Sequence, residues 1–69
     1  MKKNLKTGFV NCLRLHVHEK PDLDSEIVCK LRYLTEVVVD TKESTGEFYK
    51  VYTAIGAEGY ASKECVTIK

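Results

Sequence analysis

The sequence predicts an all-β fold, a small barrel of five to seven short, mostly antiparallel strands with one short helical turn near the C-terminus. Apolar and polar residues alternate with a period of two in the segments where regular structure is expected, as in half-buried strands. Polar segments that contain Pro or Gly separate these stretches. No segment shows the helical period over ten or more residues, which excludes a long amphipathic helix.

The chain is long enough for one small domain. Its 69 residues are 43% hydrophobic and 30% charged, which is typical of a globular chain and not of a disordered one. A domain of this size buries only about 60% of the surface of its unfolded chain, so its core must be small. We predict a basic N-terminal tail over residues 1–6 and the folded domain over residues 7–69.

The spacing of apolar residues predicts the strands. Leu13, Leu15 and Val17 share one parity, so one face of their segment should be buried, and Pro21 with its acidic neighbours predicts a loop over residues 18–26. Further strands are expected near residues 27–31, 37–39, 48–53, 59–61 and 66–68, with a hairpin tip ending on Gly46 and a helical turn at residues 62–65. The predicted core consists of Val10, Leu15, Val17, Ile27, Leu31, Val37, Val39, Val51, Ala61 and Val66.

The order of these segments resembles the bacterial SH3 (Src homology 3) domain over about residues 7 to 68. Five motifs carry the resemblance together, although none is specific alone. Residues 15–18 match the family's Leu-Asn-Val-Arg tetrad, and Pro21 matches the proline that follows it. Residues 27–31 match a Val-Ile-Gly-x-Leu strand, and Val37 and Val39 match the alternating valines of the next strand. Residues 48–51 match Trp-x-Lys-Val, and residues 59–61 match Gly-Trp/Tyr-Val. The resemblance implies an SH3-like barrel.

The same resemblance implies a ligand-binding groove, although its polar and aromatic positions are altered. His16 and His18 replace the family's Asn and Arg, and Phe48 replaces its Trp, while Cys29 and Leu34 replace two glycines. Strand parity turns Phe48 and Tyr52 outward and Tyr49 inward. The predicted ligand-binding residues are His16, His18, Phe48, Tyr52 and Tyr60, with Tyr33 at the edge of the groove. The alternative is that these are ordinary barrel aromatics packed under loops.

The cysteines predict reduced thiols. Cys12, Cys29 and Cys65 form no CxxC pair, and their odd number argues against a closed disulfide framework. Three free, buried thiols are therefore expected. Because the first and last strands of an SH3-like barrel are neighbours, the resemblance leaves a bridge between Cys12 and Cys65 as the alternative.

No catalytic site, cofactor or metal is predicted. His16 and His18 lie two residues apart on a strand and could converge on one metal ion, but no fourth ligand is identifiable. Phosphate-loop, dinucleotide-binding, zinc-protease and serine-hydrolase motifs are all missing from the sequence. A strand-rich chain of this length rarely provides a cleft that excludes water, so the chain is not expected to be an enzyme.

The resemblance implies a non-catalytic module, expected to be a monomer, that binds an extended peptide. The first candidate ligand is a cell-wall peptidoglycan peptide or cross-bridge, recognised as part of or beside a lytic or surface protein. The alternative is an intracellular protein-interaction factor, encoded by a phage or mobile element, that engages a host or virion protein.

Nucleic acid is a weaker candidate because the net charge is only +1. The sequence contains no signal peptide and no apolar segment of membrane-spanning length, which predicts a cytoplasmic chain, or a cell-wall module if it is a piece of an exported protein.

Overall fold

A computed structural model describes residues 4–69 and confirms the all-β class. The chain forms seven strands, and a single 3-10 turn at Lys63–Cys65 is the only helix in the described range. No helix within these residues has the length and apolar character needed to cross a membrane. The strands are β1 (Leu5–Val10), β2 (Arg14–His18), β3 (Ile27–Arg32), β4 (Glu36–Thr45), β5 (Phe48–Tyr52), β6 (Glu58–Ser62) and β7 (Val66–Ile68).

All seven strands belong to one antiparallel sheet with the order β3-β2-β6-β5-β4-β1-β7. Nine buried apolar residues form a single cluster to which every strand contributes, so the sheet must curl around its inner face. Tyr49, Cys29 and Cys65 pack against this cluster from its margins, which confirms that Tyr49 faces inward. The core residues are Val10, Leu15, Val17, Leu31, Val37, Val39, Val51, Ala61 and Val66.

Ile27 is the one predicted core residue that the structure places outside, with 46% of its surface exposed. The pairing of β2 with β3 changes register between Val17 and His18, so Cys29 lies opposite Val17 while Ile27 lies opposite His18. A bulge of this kind adds one residue to β3 and reverses its side-chain parity. Ile27 therefore points to the outer face of the sheet, as His18 opposite it does.

The N-terminal part of the chain also differs from its predicted pattern. Leu13 is 84% exposed, because the chain turns at residues 11–13 between β1 and β2 instead of continuing as one strand. β1 begins at Leu5, within the segment predicted as a basic tail, and residues 1–3 lie outside the described part of the chain.

β4 is longer than its apolar residues predict, because polar side chains support its second half. The pairing of β4 with β5 is irregular between Asp40 and Thr45. The backbone N–H of Lys42 donates to Asp40 Oδ1, Ser44 Oγ donates to the Asp40 carbonyl, and the Lys50 N–H donates to Ser44 Oγ. These bonds satisfy main-chain groups that the irregular pairing leaves without a partner. Gly46 has the positive φ expected at the hairpin tip.

The prediction of three free thiols is wrong for two of them, because Cys12 and Cys65 form a disulfide with a Cα–Cα distance of 5.2 Å. Asn11 N–H donates to the Cys65 carbonyl and holds the turn before β2 against the helical turn before β7. The bridge therefore joins parts of the chain 53 residues apart. Cys29 is the one free cysteine of the described residues, and its burial raises the pKa of its thiol.

Candidate functional site

Strands β5 and β6 present a row of aromatic and charged side chains on the outer surface. Val51 is fully buried, so the residues on either side of it in β5, Lys50 and Tyr52, point outward. The register pairs Lys50 with Tyr60, and Tyr52 with Glu58. We call this surface the Lys50 face; it consists of Phe48, Lys50, Tyr52, Glu58 and Tyr60.

Lys50 holds the centre of this face together. Its ammonium lies 5.0 Å from the centroid of the Tyr60 ring and 5.8 Å from that of Tyr52. On the same side, Lys50 Nζ lies 3.3 Å from Glu58 Oε1. A cation between two aromatic faces attracts both rings, and the carboxylate limits its movement. The Lys50 side chain is only 19% exposed as a result.

The surroundings of Lys50 raise the pKa of its ammonium above 10.5. Partial burial alone would lower this pKa, but the hydrogen bond to Glu58 and the nearby Tyr60, Glu58 and Tyr52 groups together outweigh it. The positive charge is therefore fully present at neutral pH. An ammonium has three donors, so the bond to Glu58 leaves two N–H groups for a ligand.

Tyr52 also borders a shallow apolar depression of about 260 Å³. Val38 on β4 lies between its cross-strand partners, Thr7 on β1 and Tyr52 on β5. Val38 is 37% exposed. The Lys50 face and the depression thus share Tyr52 as a common wall. The depression is lined by Thr7, Glu36, Val37, Val38, Tyr52, Thr53 and Ala54.

His18 closes the other side of the Lys50 face. It pairs with Tyr60 across β2 and β6, where a Cβ on Gly59 would lie 2.5 Å from the His18 carbonyl oxygen. Only glycine permits this close approach of the two strands. His18 itself is 6% exposed, and its Nδ1 lies 3.1 Å from the Ser25 carbonyl oxygen. Because a carbonyl only accepts, Nδ1 donates, and the ring ties down the loop of residues 19–26.

The structure brings four of the five predicted residues onto or beside one surface. Tyr52 and Tyr60 meet through Lys50, Phe48 lies two residues before Lys50 on the same side of β5, and His18 pairs with Tyr60. The His18 ring is covered and serves the loop. The exposed His16 ring stands 6.4 Å from the His18 ring, centroid to centroid.

Tyr33 lies away from this surface. It follows β3, where its N–H donates to the Leu13 carbonyl, and 56% of its surface is exposed. The two histidines do not form part of a larger cluster, because no group of three or more potential metal ligands occurs among residues 4–69.

Sequence reasoning missed Lys50, Glu58 and Val38. Lys50 belongs to the residues 48–51 motif and shares the parity of Tyr52, so its outward position was predictable. Its contact with Glu58 depends on the turn between β5 and β6, which fixes which residue lies opposite Tyr52. The exposure of Val38 follows from its position between two buried valines of β4.

A comparison with protein families matches residues 14–67 to the bacterial SH3 domain. This match covers most of the chain, and its boundaries contain β2 to β6, the helical turn and most of β7. The protein belongs to the bacterial SH3 domain family, which is a family of binding domains and not of catalysts. A comparison with curated proteins finds no match to this chain.

Proposed function

We propose that this domain is a non-catalytic module that binds an extended cell-wall peptide, either a peptidoglycan stem peptide or a cross-bridge, on the Lys50 face. The ligand is proposed to cross Tyr52 and Tyr60 and to continue toward His16, with Phe48 beside its path. Membership in a family of binding domains supports the general role, and SH3 domains generally bind peptides.

The observation that carries the proposal is the position of Lys50 between two tyrosine rings. An extended peptide exposes carbonyl oxygens along its length, and the two unused N–H groups of Lys50 can donate to them. The tyrosines offer flat apolar surfaces with a hydroxyl at the rim, which suits peptide backbone as well as small side chains. These features favour a ligand read through its main chain.

The depression beside Tyr52 supports a ligand with an apolar side chain. Its volume of about 260 Å³ is enough for a methyl or isopropyl group. The methyl groups of an alanine-rich stem peptide would fit this depression. The exposed Val38 gives this side chain an apolar contact next to the aromatic wall.

The disulfide favours the cell wall over the cell interior. A bridge between Cys12 and Cys65 persists in an oxidising compartment and is reduced in most cytoplasms. The intracellular alternative depended partly on the prediction of three reduced thiols. In the structure Cys12 and Cys65 are bridged and only Cys29 is a free thiol. The wall ligand is therefore the better supported of the two.

Binding to purified walls and to soluble muropeptides tests the proposal. The domain should sediment with purified peptidoglycan and retain little from a cytosolic lysate. Phe48→Ala should abolish measurable binding, and Tyr52→Ala should weaken it about tenfold, because aromatic anchors dominate such contacts. Tyr33→Ala is the control, since it removes an exposed tyrosine from another surface.

Two results would overturn the proposal. Wild-type affinity in folded Phe48→Ala and Tyr52→Ala variants would exclude the Lys50 face as the binding surface. Retention of one cytosolic protein, together with no binding to walls, would favour the intracellular alternative.

A further inference from the structure

The outer edge of the sheet at β3 has a free backbone. β3 pairs only with β2 among the strands of residues 4–69. The Tyr33 N–H donates to the Leu13 carbonyl, so the main chain at Tyr33 faces β2. In an antiparallel pair every second residue directs its N–H and C=O toward the partner strand, so Leu31 faces β2 as well. The N–H and C=O of Lys30 and the N–H of Arg32 therefore point away from the sheet.

Three cationic side chains, those of Arg14, Lys30 and Arg32, lie beside these free groups. Arg14 stands directly opposite Arg32, and His16 stands opposite Lys30, all four of them exposed. By the same alternation these are the pairs without mutual hydrogen bonds, where side chains approach closest. Like charges in such pairs are destabilising. Among residues 4–69, none of the four forms an ion pair within 4.0 Å, since the two that occur involve Lys50 and Lys69.

The acidic residues of the hairpin lie at its loop and not along its strands. Four acidic residues lie in or beside the loop at the opposite end of the β2–β3 hairpin: Glu19, Asp22, Asp24 and Glu26. The hairpin therefore carries negative charge at its loop and positive charge along its strands. An acidic partner would be attracted to the strands and repelled from the loop.

The end of the hairpin farthest from that loop is apolar and exposed. Leu13 is 84% exposed, Tyr33 56% and Leu34 58%. Leu34 also has a φ of 69°, a left-handed conformation that is unfavourable for leucine and easy for glycine. Neither packing nor backbone conformation explains why leucine occupies this exposed position, whereas a contact with a partner would explain it.

We propose that the β3 edge, defined as Leu13, Arg14, Lys30, Arg32, Tyr33 and Leu34, binds an extended peptide in which acidic and apolar residues alternate. The peptide adds a strand beside β3 and bonds to the free main-chain groups of Lys30 and Arg32. Its acidic side chains lie on the outer face next to Lys30 and Arg32, with Arg14 one strand farther in. Its apolar side chains lie on the inner face and reach toward Tyr33 and Leu34.

The charge of the edge selects this partner over a second copy of the chain. Pairing two β3 strands would place Lys30 and Arg32 beside the same residues of the other copy, and such repulsion is how exposed edges avoid self-association. The edge therefore favours a partner of opposite charge. This surface is separate from the Lys50 face, so the inference does not depend on the wall ligand.

An eight-residue peptide of alternating glutamate and valine, with blocked ends, is the direct probe. Titration into labelled domain should shift the amide resonances of residues 28–34. A peptide with four glutamates followed by four valines keeps the composition but loses the alternation, and it should bind weakly. A version with N-methyl groups on alternate residues loses the ability to extend the sheet and should also bind weakly.

Charge reversal tests the role of the cations. Lys30→Glu with Arg32→Glu should weaken binding of the alternating peptide at least about tenfold, because two attractive contacts become repulsive. Lys6→Glu with Lys42→Glu makes the same change in net charge at exposed positions elsewhere and should leave the affinity within about twofold. Tyr52→Ala should leave it unchanged, which separates this surface from the Lys50 face.

Leu34→Gly separates binding from folding. Glycine relieves the left-handed strain, so the variant should melt at the same temperature as the wild type or higher. It should nevertheless lose about fivefold in affinity for the probe, because an apolar contact is removed. A variant with unchanged affinity would exclude Leu34 from the surface.

Three outcomes would overturn the proposal. The first is no shift of residues 28–34 at millimolar probe. The second is equal binding of the alternating, block and N-methylated peptides, which would indicate attraction of charge without added strand. The third is tighter binding of inorganic polyphosphate than of the alternating peptide at matched salt, which would make the edge a surface for non-peptide polyanions.

Discussion

Lys50 and Lys30 occupy outward positions on strands of the same sheet, yet their surroundings are opposite. Lys50 on β5 contacts two tyrosine rings and a carboxylate, and its side chain is mostly covered. Lys30 on β3 is exposed and stands opposite His16, with no acidic partner within 4.0 Å among the described residues. The strand pattern fixes the direction of both side chains, but the cross-strand register decides which of them has partners.

This comparison suggests two different uses of a surface cation. On the Lys50 face the charge is held in place before a ligand arrives, which lowers the entropy lost on binding. On the β3 edge the charge is unsatisfied and repels its neighbours, which favours a partner that brings acidic groups. The following changes test whether the two regions differ as this account requires.

The disulfide joins the segment before β2 to the helical turn after β6, and its loss should have the largest effect. Cys12 precedes β2 and Cys65 follows β6. A bridge across 53 residues stabilises a domain by about 4 kcal/mol in the chain-entropy account. The double variant Cys12→Ser with Cys65→Ser should lose most of this in denaturant unfolding, and Cys29→Ser is the matched control.

Mass spectrometry checks the bridge itself. After alkylation of the denatured, unreduced protein, we expect one modified thiol, that of Cys29. Before alkylation, the mass should be lower than that of the reduced protein by two hydrogen atoms. Three modified thiols would contradict the bridge.

Shortening a buried valine of the Lys50 region should cost more than shortening an exposed valine of the edge. Val51→Ala should lower the free energy of unfolding by about 2–4 kcal/mol, because Val51 is fully buried and its removal leaves a cavity. Val39→Ala should behave similarly. Val28→Ala, at a position 43% exposed on β3, should change it by less than about 0.5 kcal/mol. Near-wild-type stability in both core variants would disprove the assigned core.

Replacing each lysine with methionine should separate the two regions directly. Lys50→Met should destabilise the domain by about 1 kcal/mol, since it removes two contacts with tyrosine rings and one ion pair. Lys30→Met should be neutral or slightly stabilising, because Lys30 has no ion pair within 4.0 Å among the described residues and adds positive charge near Arg14 and Arg32. Equal effects of the two variants on thermal unfolding would contradict the comparison.

The smallest expected effect is a pH dependence at alkaline pH. The folded state raises the pKa of Lys50 above 10.5, so its stabilising contribution is fully present below that pH and is lost as pH rises through the folded pKa. The stability difference between the wild type and Lys50→Met should therefore be constant from pH 7 to pH 9 and shrink above about pH 10.5. A difference that stays constant to pH 12 would exclude the Lys50 contacts as its cause.

The barrel was predictable because alternation with a period of two survives in almost every strand. Nine of the ten predicted core residues are buried, and the helical turn lies where the sequence indicates it. Ile27 was wrong because a bulge changes parity without a sequence signal. Bulges depend on how two strands pair, and a single strand does not contain that information.

The candidate site was predictable only in part. Parity identified Phe48 and Tyr52 as outward residues, and the family resemblance added Tyr60. The central role of Lys50 and the covered position of His18 depend on register and on the loop bonded to the His18 ring. The disulfide was expected only as the alternative, because three cysteines without close spacing show no pairing until the fold brings two of them together.

Chemical-shift mapping with soluble muropeptides is the most direct test of the central claim, that the Lys50 face binds a wall peptide. Titration of the labelled domain should shift resonances of residues 48–52 and 58–60, leave residues 28–34 unchanged, and show no such shifts in folded Phe48→Ala protein. Shifts confined to residues 28–34, or none at saturating muropeptide, would contradict the account.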